Sequence, residues 1–430
     1  MSQSLTEWLA RLESRHPVAI EMGLDRIRAV ASPLGLDRPV CPVITVAGTN
    51  GKGSTVATLT AIYREAGYRV GTYTSPHLER FNERISLQGE PVDDSRIVAA
   101  FERVDAVRES LDISLTYFEF TTLAAFQVFR ESSPDILILE VGLGGRLDAV
   151  NLVDPDVAVI TSIGIDHVEW LGDTREAIGR EKAGIFRTGI PVVCGDADPP
   201  ASVVRHAEEL GCAFCLKGRD FRMTRHEDHP AWEAASGALL VLPPLRLSPE
   251  NVATAIAAVR LAPLPVDDDA VRRGAAAAAL AGRAERRRRD GVEIVLDVAH
   301  NPHGAAFFMQ QLPAIPGRTR AVLAMLADKD ADGTLDACLG RVDAWFPATL
   351  EGARGGSARA RGADAGAGTG CRGASFRCPG GAFRRLEVVS TRRSHSGPGI
   401  ISNRSGSPAV AGQKRWIRQL SNAFSAVWSW

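Results

Sequence analysis

The sequence predicts an α/β protein, with a mostly parallel, doubly wound sheet in a large first domain and a smaller α/β domain after it. Three observations predict this. Short apolar runs alternate with helical patterns along most of the chain, the rhythm of β-then-α units. Within those runs Val, Ile and Leu are near-continuous, as befits strands covered on both faces. The length, 430 residues, exceeds what one ordinary core accommodates.

The first element is an amphipathic helix within Met1–Pro17, where Leu5, Trp8, Leu9 and Leu12 are interleaved with Glu7, Arg11, Glu13 and Arg15. That pattern is not the basic-then-apolar profile of a signal peptide. Val43–Ala47 reads as a strand, Val56–Ala66 as a helix and Val70–Thr74 as the next strand. Further strands are expected at Ile136–Val141, Val157–Ile163, Val192–Cys194, Ile294–Val298 and Ala321–Met325. The pattern breaks at Leu280–Arg283 and the charged Glu285–Asp290, which divides the chain into domains at 1–281 and 282–355. Arg286–Arg289 reads as a solvated turn. Between residues 356 and 430, twelve Lys and Arg stand against only Asp364 and Glu387, among dense Gly, Ser and Ala. No helical or strand period is sustained there, so that stretch is expected to be low-complexity and disordered.

Composition narrows the function. With 45% hydrophobic and 23% charged residues the chain is of the soluble globular class, and a net charge of −1 gives no reason to expect a nucleic-acid partner. No apolar run approaches the roughly 18 residues of a membrane span. Seven cysteines, odd in number and scattered, read as reduced thiols and point to the cytoplasm. Cys212 and Cys215 form a CxxC followed by His226 and His229, but the spacings are too short for a zinc finger, and packing is the simpler reading.

Five segments carry chemistry. Gly48-Thr49-Asn50-Gly51-Lys52-Gly53-Ser54 lies between a strand and a helix. Small residues there let backbone N–H groups face phosphate, Lys52 reach the β/γ-phosphates and Ser54 offer a hydroxyl to phosphate or Mg²⁺. It departs from the strict P-loop pattern, because Gly53 separates Lys52 from Ser54. Thr74-Ser75-Pro76-His77-Leu78 closes the next strand, at the sheet edge where α/β proteins bind ligands. Glu140 ends an apolar strand and is costly to bury unless paired or metal-bound, which suits Mg²⁺ beside a triphosphate. The glycines that follow it permit close backbone approach, and Asp148 is free to face a ligand. Gly164-Ile165-Asp166-His167 and Arg180-Glu181-Lys182-Ala183-Gly184 are ambiguous by spacing alone: His167 could be a core histidine and Lys182 a solvated lysine. Asp297-Val298-Ala299-His300-Asn301-Pro302 sets an acid, an imidazole and an amide at one strand end of the second domain.

Together and in this order, the segments GTNGKGS, TSPHL with ERI after it, TYFEF, EVGLGGRLDAVN, TSIGIDH, GREKAGI and DVAHNPH resemble the folylpolyglutamate synthase family of the Mur ligase superfamily. The resemblance runs from Leu5 to about Gly355. It implies a Mur-ligase-like fold, with a P-loop sheet domain followed by a smaller Rossmann-like domain. It also implies an ATP-dependent ligase that joins L-glutamate to dihydropteroate and to the γ-carboxylate of folates. By the motif matches, Asn50, Gly51, Lys52, Gly53 and Ser54 hold the ATP phosphates, and Asn251, Arg283 and Asp297 contact the nucleotide. Ser75, Glu140 and His167 match Mg²⁺ ligands. Lys182 matches a lysine carried as a carbamate, which suits a pKa-depressed amine and a second Mg²⁺. His300 matches a residue near ATP and glutamate. Met22, Gly23, Leu24 and Asp25, then Thr116, Tyr117, Phe118 and Glu119, then Leu147, Asp148 and Ala149 match the dihydropteroate-binding segments. Asp148 suits the pterin N–H donors and Phe118 the ring.

The implied reaction passes the γ-phosphoryl group to the acceptor carboxylate, and the glutamate amine then attacks the acyl phosphate, with closure of the second domain excluding water. Lys52, Lys182 and His300 are the expected catalytic set, in a monomer. The rivals are a ligase acting on a UDP-linked muramyl substrate and a nucleotide-driven switch without chemistry. Family members continue past the equivalent of Gly355 with a helix, an apolar strand and a closing GSF-type segment. The basic stretch here looks instead like a change of reading frame, so weak or no activity and protease sensitivity from about Gly355 are expected.

Overall fold

The computed structural model describes residues 3–16, 20–39, 41–289, 291–312, 317–327, 329–349, 376–377 and 386–391. Contacts divide the chain into two units, one of Met1–His77 with Phe81–Leu280, the other of Leu78–Arg80 with the chain from Ala281 onward.

In the first unit, helices α1 (Leu5–Arg15) and α2 (Asp25–Leu34) precede strand β1 (Val43–Ala47), helix α3 (Lys52–Glu65) and strand β2 (Val70–Tyr73). The short strands β3 (Ile85–Leu87) and β4 (Glu90–Pro91) lead to α4 (Asp94–Ser110) and α5 (Tyr117–Ser132). Then come β5 (Ile136–Glu140), β6 (Val157–Ile160), α6 (Val168–Leu171), α7 (Arg175–Ala183), β7 (Pro191–Cys194), α8 (Ala201–Glu209) and β8 (Ala213–Leu216). The sheet order is β4-β3-β2-β5-β1-β6-β7-β8, parallel from β2 to β8 and antiparallel at the β3–β4 edge. Every residue of β1, β2, β5 and β6 is buried, so these runs lack polar alternation because helices cover both faces. On one face α1, α4 and α5 pack Trp8, Phe101, Phe120 and Phe129 together. Helix α1 starts at a capping box in which Ser4 and Glu7 satisfy each other's amides, and α5 at a second one made by Thr116 and Glu119. On the other face α3 lies with α9 (Pro249–Leu261) and α10 (Asp268–Ala277). A separate antiparallel sheet of β9 (Phe221–His226), β10 (His229–Ala234) and β11 (Leu239–Val241) adds Trp232 to that core.

The second unit contains β12 (Glu285–Arg289), β13 (Val292–Asp297), α11 (Pro302–Gln311), β14 (Arg318–Leu323), α12 (Ala331–Asp336), β15 (Ala344–Thr349), β16 (Phe376–Arg377) and β17 (Leu386–Thr391). Its sheet order is β12-β13-β17-β14-β15-β16, and β17 runs antiparallel to both neighbours.

Three expectations need correction. Arg286–Arg289 is not a turn: it is an exposed strand that forms a hairpin with β13, with Gly291 left-handed (φ 75°) in the connection. A row of arginines suits the open edge of a sheet, where charge discourages pairing with other chains. The strand expected to run to Ile163 ends at Ile160, because Thr161–Gly164 turn aside to bond the phosphate loop. Regular structure does exist beyond Gly355. The segment Leu386–Thr391 contains Val388, Val389 and Thr391, β-branched residues that favour strands, and it is laddered between β13 and β14. Phe376–Arg377 also forms a short strand, paired with β15, and the remainder of the stretch expected to be disordered and protease-sensitive lies outside the described residues. No helix among the described residues is long and apolar enough to cross a membrane.

Candidate functional site

The chemistry-bearing segments of the first unit lie at the C-terminal ends of β1, β2, β5 and β6 and in the loops beyond them, except for the Lys182 segment, which is on α7. The phosphate loop leaves β1 at Gly48 and enters α3 at Lys52 through a left-handed Gly51 (φ 88°). The amides of α3's first turn have no acceptor within the helix, so they can serve an anion. A side chain at Gly51 would come within 2.5 Å of Asn251 Oδ1, which puts the buried Asn251 of α9 directly behind the loop.

Lys52 Nζ donates to Gly48 O (2.9 Å), and Lys182 Nζ, from α7, donates to the same oxygen (3.1 Å). Lys182 is buried. Burial first, and then the charge of Lys52, push its pKa down to about 7, with Asp166 and Asp148 opposing. A substantial share of its amine is therefore neutral near pH 7, and its burial rules out the solvated-lysine reading of the sequence.

Glu140 ends β5 with its carboxylate buried at the start of α3. A Cβ at Gly53 would lie 3.9 Å from each of its oxygens, and Ser75 N–H donates to Oε2 at 3.2 Å. His167 sits on the neighbouring loop as the left-handed N-cap of α6 (φ 53°), its amide donating to Asp166 Oδ1 at 2.9 Å. Among the described residues no group of three or more His, Cys, Asp or Glu converges. One or two carboxylates with phosphate oxygens are what Mg²⁺ requires, and Glu140 beside the loop provides that donor type.

Of the acceptor segments, Phe118 lies over Gly142, where a Cβ would meet its ring at 2.6 Å. Met22 and Leu171 approach Gly144 in the same way, at 3.6 and 3.0 Å, so the glycines of this loop admit apolar side chains from three directions. Thr116 and Glu119 are buried and occupied by the α5 capping box, and Glu119 also pairs with Arg26 at 3.1 Å. That ion pair ties α5 to the segment carrying Met22, Gly23, Leu24 and Asp25. Tyr117 and Ala149 are buried, Leu147 is half-buried and Asp25 is exposed.

Asp148 is not free in the way the sequence suggested. Oδ2 accepts the Leu143 amide (2.8 Å) and Oδ1 the Val150 amide (2.9 Å), so the carboxylate builds its own loop. The Gly142 amide is a third backbone donor to this carboxylate, whose two oxygens together have about four acceptor positions. Burial raises its pKa to about 6 against these hydrogen bonds and the Lys52 charge.

In the second unit Asp297 ends β13 with both oxygens bonded to backbone, Oδ2 to Ala284 N–H and Oδ1 to Ala299 N–H, each at 2.8 Å. Burial raises its pKa, and the Arg283 charge opposes the rise. His300 Nδ1 donates to Val298 O at 3.0 Å, which fixes the tautomer, and Asn301 caps α11 through Gly304 N–H at 2.7 Å.

Sequence reasoning missed Thr49, Thr161 and Ser162. Thr161 Oγ1 (2.6 Å) and Ser162 Oγ (3.0 Å) both donate to Asn50 O, while Thr49 exchanges hydrogen bonds with Gly164. The signal was the pair of hydroxyls opening the TSIGIDH segment, passed over in favour of its histidine.

Comparison with known proteins agrees with this layout. Residues 46–216 match the Mur ligase middle domain and residues 282–394 the Mur ligase glutamate ligase domain. The chain is 46% identical over 357 residues to the dihydrofolate synthase/folylpolyglutamate synthase of Escherichia coli K12, spanning 82% of this chain and 84% of that protein. The Haemophilus influenzae enzyme of the same name is 42% identical over 372 residues, with the same two shares. Among solved structures, E. coli FolC in complex with DHPP and ADP superposes with a TM-score of 0.82 at 43% identity, over 87% of this chain and 89% of that one. A bifunctional folylpolyglutamate synthase/dihydrofolate synthase with Mn, AMPPNP and L-glutamate bound gives 0.80 at 44%, over 87% and 90%. The chain belongs to the dihydrofolate synthase/folylpolyglutamate synthase family of ATP-dependent Mur ligases.

Proposed function

We propose that this chain joins L-glutamate to dihydropteroate, giving dihydrofolate, and to the γ-carboxylate of folates, using ATP and an acyl phosphate. The observation that carries the reading is the convergence of Lys52 and the buried Lys182 on Gly48 O, at the mouth of a phosphate loop that also borders Glu140. The Lys52 ammonium and the Lys182 amine, gathered on one carbonyl at the N-terminus of α3, form an arrangement suited to anionic ligands.

Each group has a definite task. The α3 amides and Lys52 hold the polyphosphate, so that the γ-phosphoryl group can pass to the carboxylate of an acceptor whose pterin is held by Phe118, Asp148 and their neighbours. The glutamate amine then attacks the acyl carbon and phosphate leaves. Ser75, Glu140 and His167 would hold one Mg²⁺ and a carbamate on Lys182 a second, and the metal supplies neutralisation of phosphate charge. Asn251, Arg283 and Asp297 serve the nucleotide, and His300 lies by ATP and glutamate, as the motif matches imply. An ATP- and pterin-binding domain (1–281) and a ligase domain starting at residue 282 divide the work, in a cytoplasmic monomer.

The test supplies ATP, Mg²⁺ and glutamate with dihydropteroate or a folate in turn, and follows ADP together with the mass of the product. ADP release that requires both acceptor and glutamate, with one glutamyl unit gained, is expected. ADP release indifferent to the acceptor would instead mark a nucleotide-driven switch.

A further inference from the structure

We infer that Thr161 and Ser162 are positioning residues for the nucleotide, which set the Asn50–Gly51 peptide of the phosphate loop so that its N–H faces the phosphates. This rests on the nucleotide-binding part of the function proposed above. A trans peptide points its C=O and N–H in opposite directions. The Asn50 carbonyl accepts two hydroxyl protons, from Thr161 (2.6 Å) and Ser162 (3.0 Å), so it is held toward the β6 loop. The Gly51 N–H of the same peptide is therefore aimed the other way, toward the concave side of the loop. Neighbouring bonds enforce the same register. Thr49 N–H donates to Ser162 O (2.7 Å), Asn50 N–H to Ser162 Oγ (3.3 Å), and Thr49 Oγ1 both donates to Gly164 O and accepts its N–H, each at 3.0 Å.

The fit is close enough to dictate the loop's first glycine. At Gly48 (φ 151°) a Cβ would run into Thr161 Oγ1, with Thr161 N at 3.1 Å. Thr161 is itself buried, so it has no solvent to turn into. The β6 loop is anchored in turn: Asp196 accepts Ile163 N–H (2.9 Å) and pairs with Arg175 (3.1 Å), whose Nε donates to Ile163 O (3.0 Å). Arg175 opens α7, the helix that carries Lys182. One loop thus holds both the phosphate-binding backbone and the start of the helix bearing the second lysine.

The experiment is calorimetric binding of MgADP and of MgAMPPNP to the full chain and to Thr161→Val, Thr161→Ser and Ser162→Ala, with melting temperatures alongside. Thr161→Val should weaken both nucleotides about tenfold, the equivalent of about 1.4 kcal/mol, and Ser162→Ala by a smaller factor. Thr161→Ser, which keeps the hydroxyl, should restore wild-type affinity. In turnover the KM for ATP should rise while the KM for the acceptor stays fixed, a split that a general loss of packing would not produce. If Thr161→Val lowers the melting temperature too far for binding to be measured, Ser162→Ala carries the test. Nucleotide affinity unchanged in the alanine and valine variants, or lost equally in Thr161→Ser, would overturn the inference. Failure of the wild-type chain to bind either nucleotide would overturn the reading beneath it.

Discussion

Replacing Lys182 with Met should make the protein more stable while removing its activity. Lys182 is buried, and its pKa lies near 7 instead of the usual 10.5, chiefly through burial. Holding the ammonium in that place below pH 7 therefore costs up to about 5 kcal/mol. Met fills a similar volume without charge. It gives up one hydrogen bond to Gly48 O, of about 1 kcal/mol, but that oxygen retains Lys52 at 2.9 Å. A net gain of about 2–4 kcal/mol at pH 6 follows, or a melting temperature higher by roughly 5–10 °C. The sign of the pH dependence is fixed by the two proton affinities. Between pH 7 and 10.5 the unfolded chain binds more protons at this position than the folded one, so wild-type stability rises across that window. The variant lacks this gain, and the gap between the two should narrow as pH rises from 7 toward 10.5. Melting curves in CO₂-free buffer containing EDTA, from pH 6 to 9.5, measure both effects. A variant that melts no higher than wild type at pH 6, or a gap that does not change with pH, would refute the reasoning.

Lys52→Ala should abolish ligation at saturating ATP with circular dichroism unchanged, since the side chain serves the loop and not the core; normal turnover would remove the phosphate-loop assignment. Lys182→Ala should lose activity and regain part of it with a small carboxylic acid, whereas full activity in CO₂-free buffer would exclude a carbamate. Asp148→Asn should behave as badly as Asp148→Ala, because its amide nitrogen must face either the Leu143 or the Val150 N–H. Both should raise the acceptor KM at least about tenfold, and an equal rise in the KM values for ATP and glutamate would make the residue purely structural. Val388→Pro should melt the second unit selectively, because a proline in a strand bonded on both sides breaks a ladder; amide exchange protection at β13 and β14 that survives would refute this.

The strands were legible where burial on two faces removed polar alternation, as in Ile136–Glu140, and the phosphate loop where small residues joined a strand to a helix. What escaped depended on partners distant in sequence. The sheet of β9–β11 mixes Arg222, Arg225 and Glu233 with its apolar residues because its outer face is wet, so it lacked the dense Val/Ile/Leu signal. Arg286–Arg289 carries the charge of a loop, and only pairing with β13 makes it a strand. Asp148 was recognisable as a reactive-looking acid, but the two amides it accepts belong to a loop conformation that composition does not reveal. Thr161 and Ser162 look like an ordinary polar strand end until Asn50, more than a hundred residues earlier, is brought against them.

The central position of β17 also bears on when the second unit can take shape. Leu296 of β13 pairs with Glu387, and Val322 of β14 with the same residue, so among the described residues the two strands are laddered together through a segment made about ninety residues after the first of them. During synthesis β13 can form its hairpin with β12 at once, but its other edge stays open until Thr391 has left the ribosome. The end of β13 that carries Asp297 thus acquires its support last, while the bonds of the phosphate loop to Thr161, Ser162 and Gly164 can be set much earlier. A nascent chain would have its phosphate loop in place before its second unit.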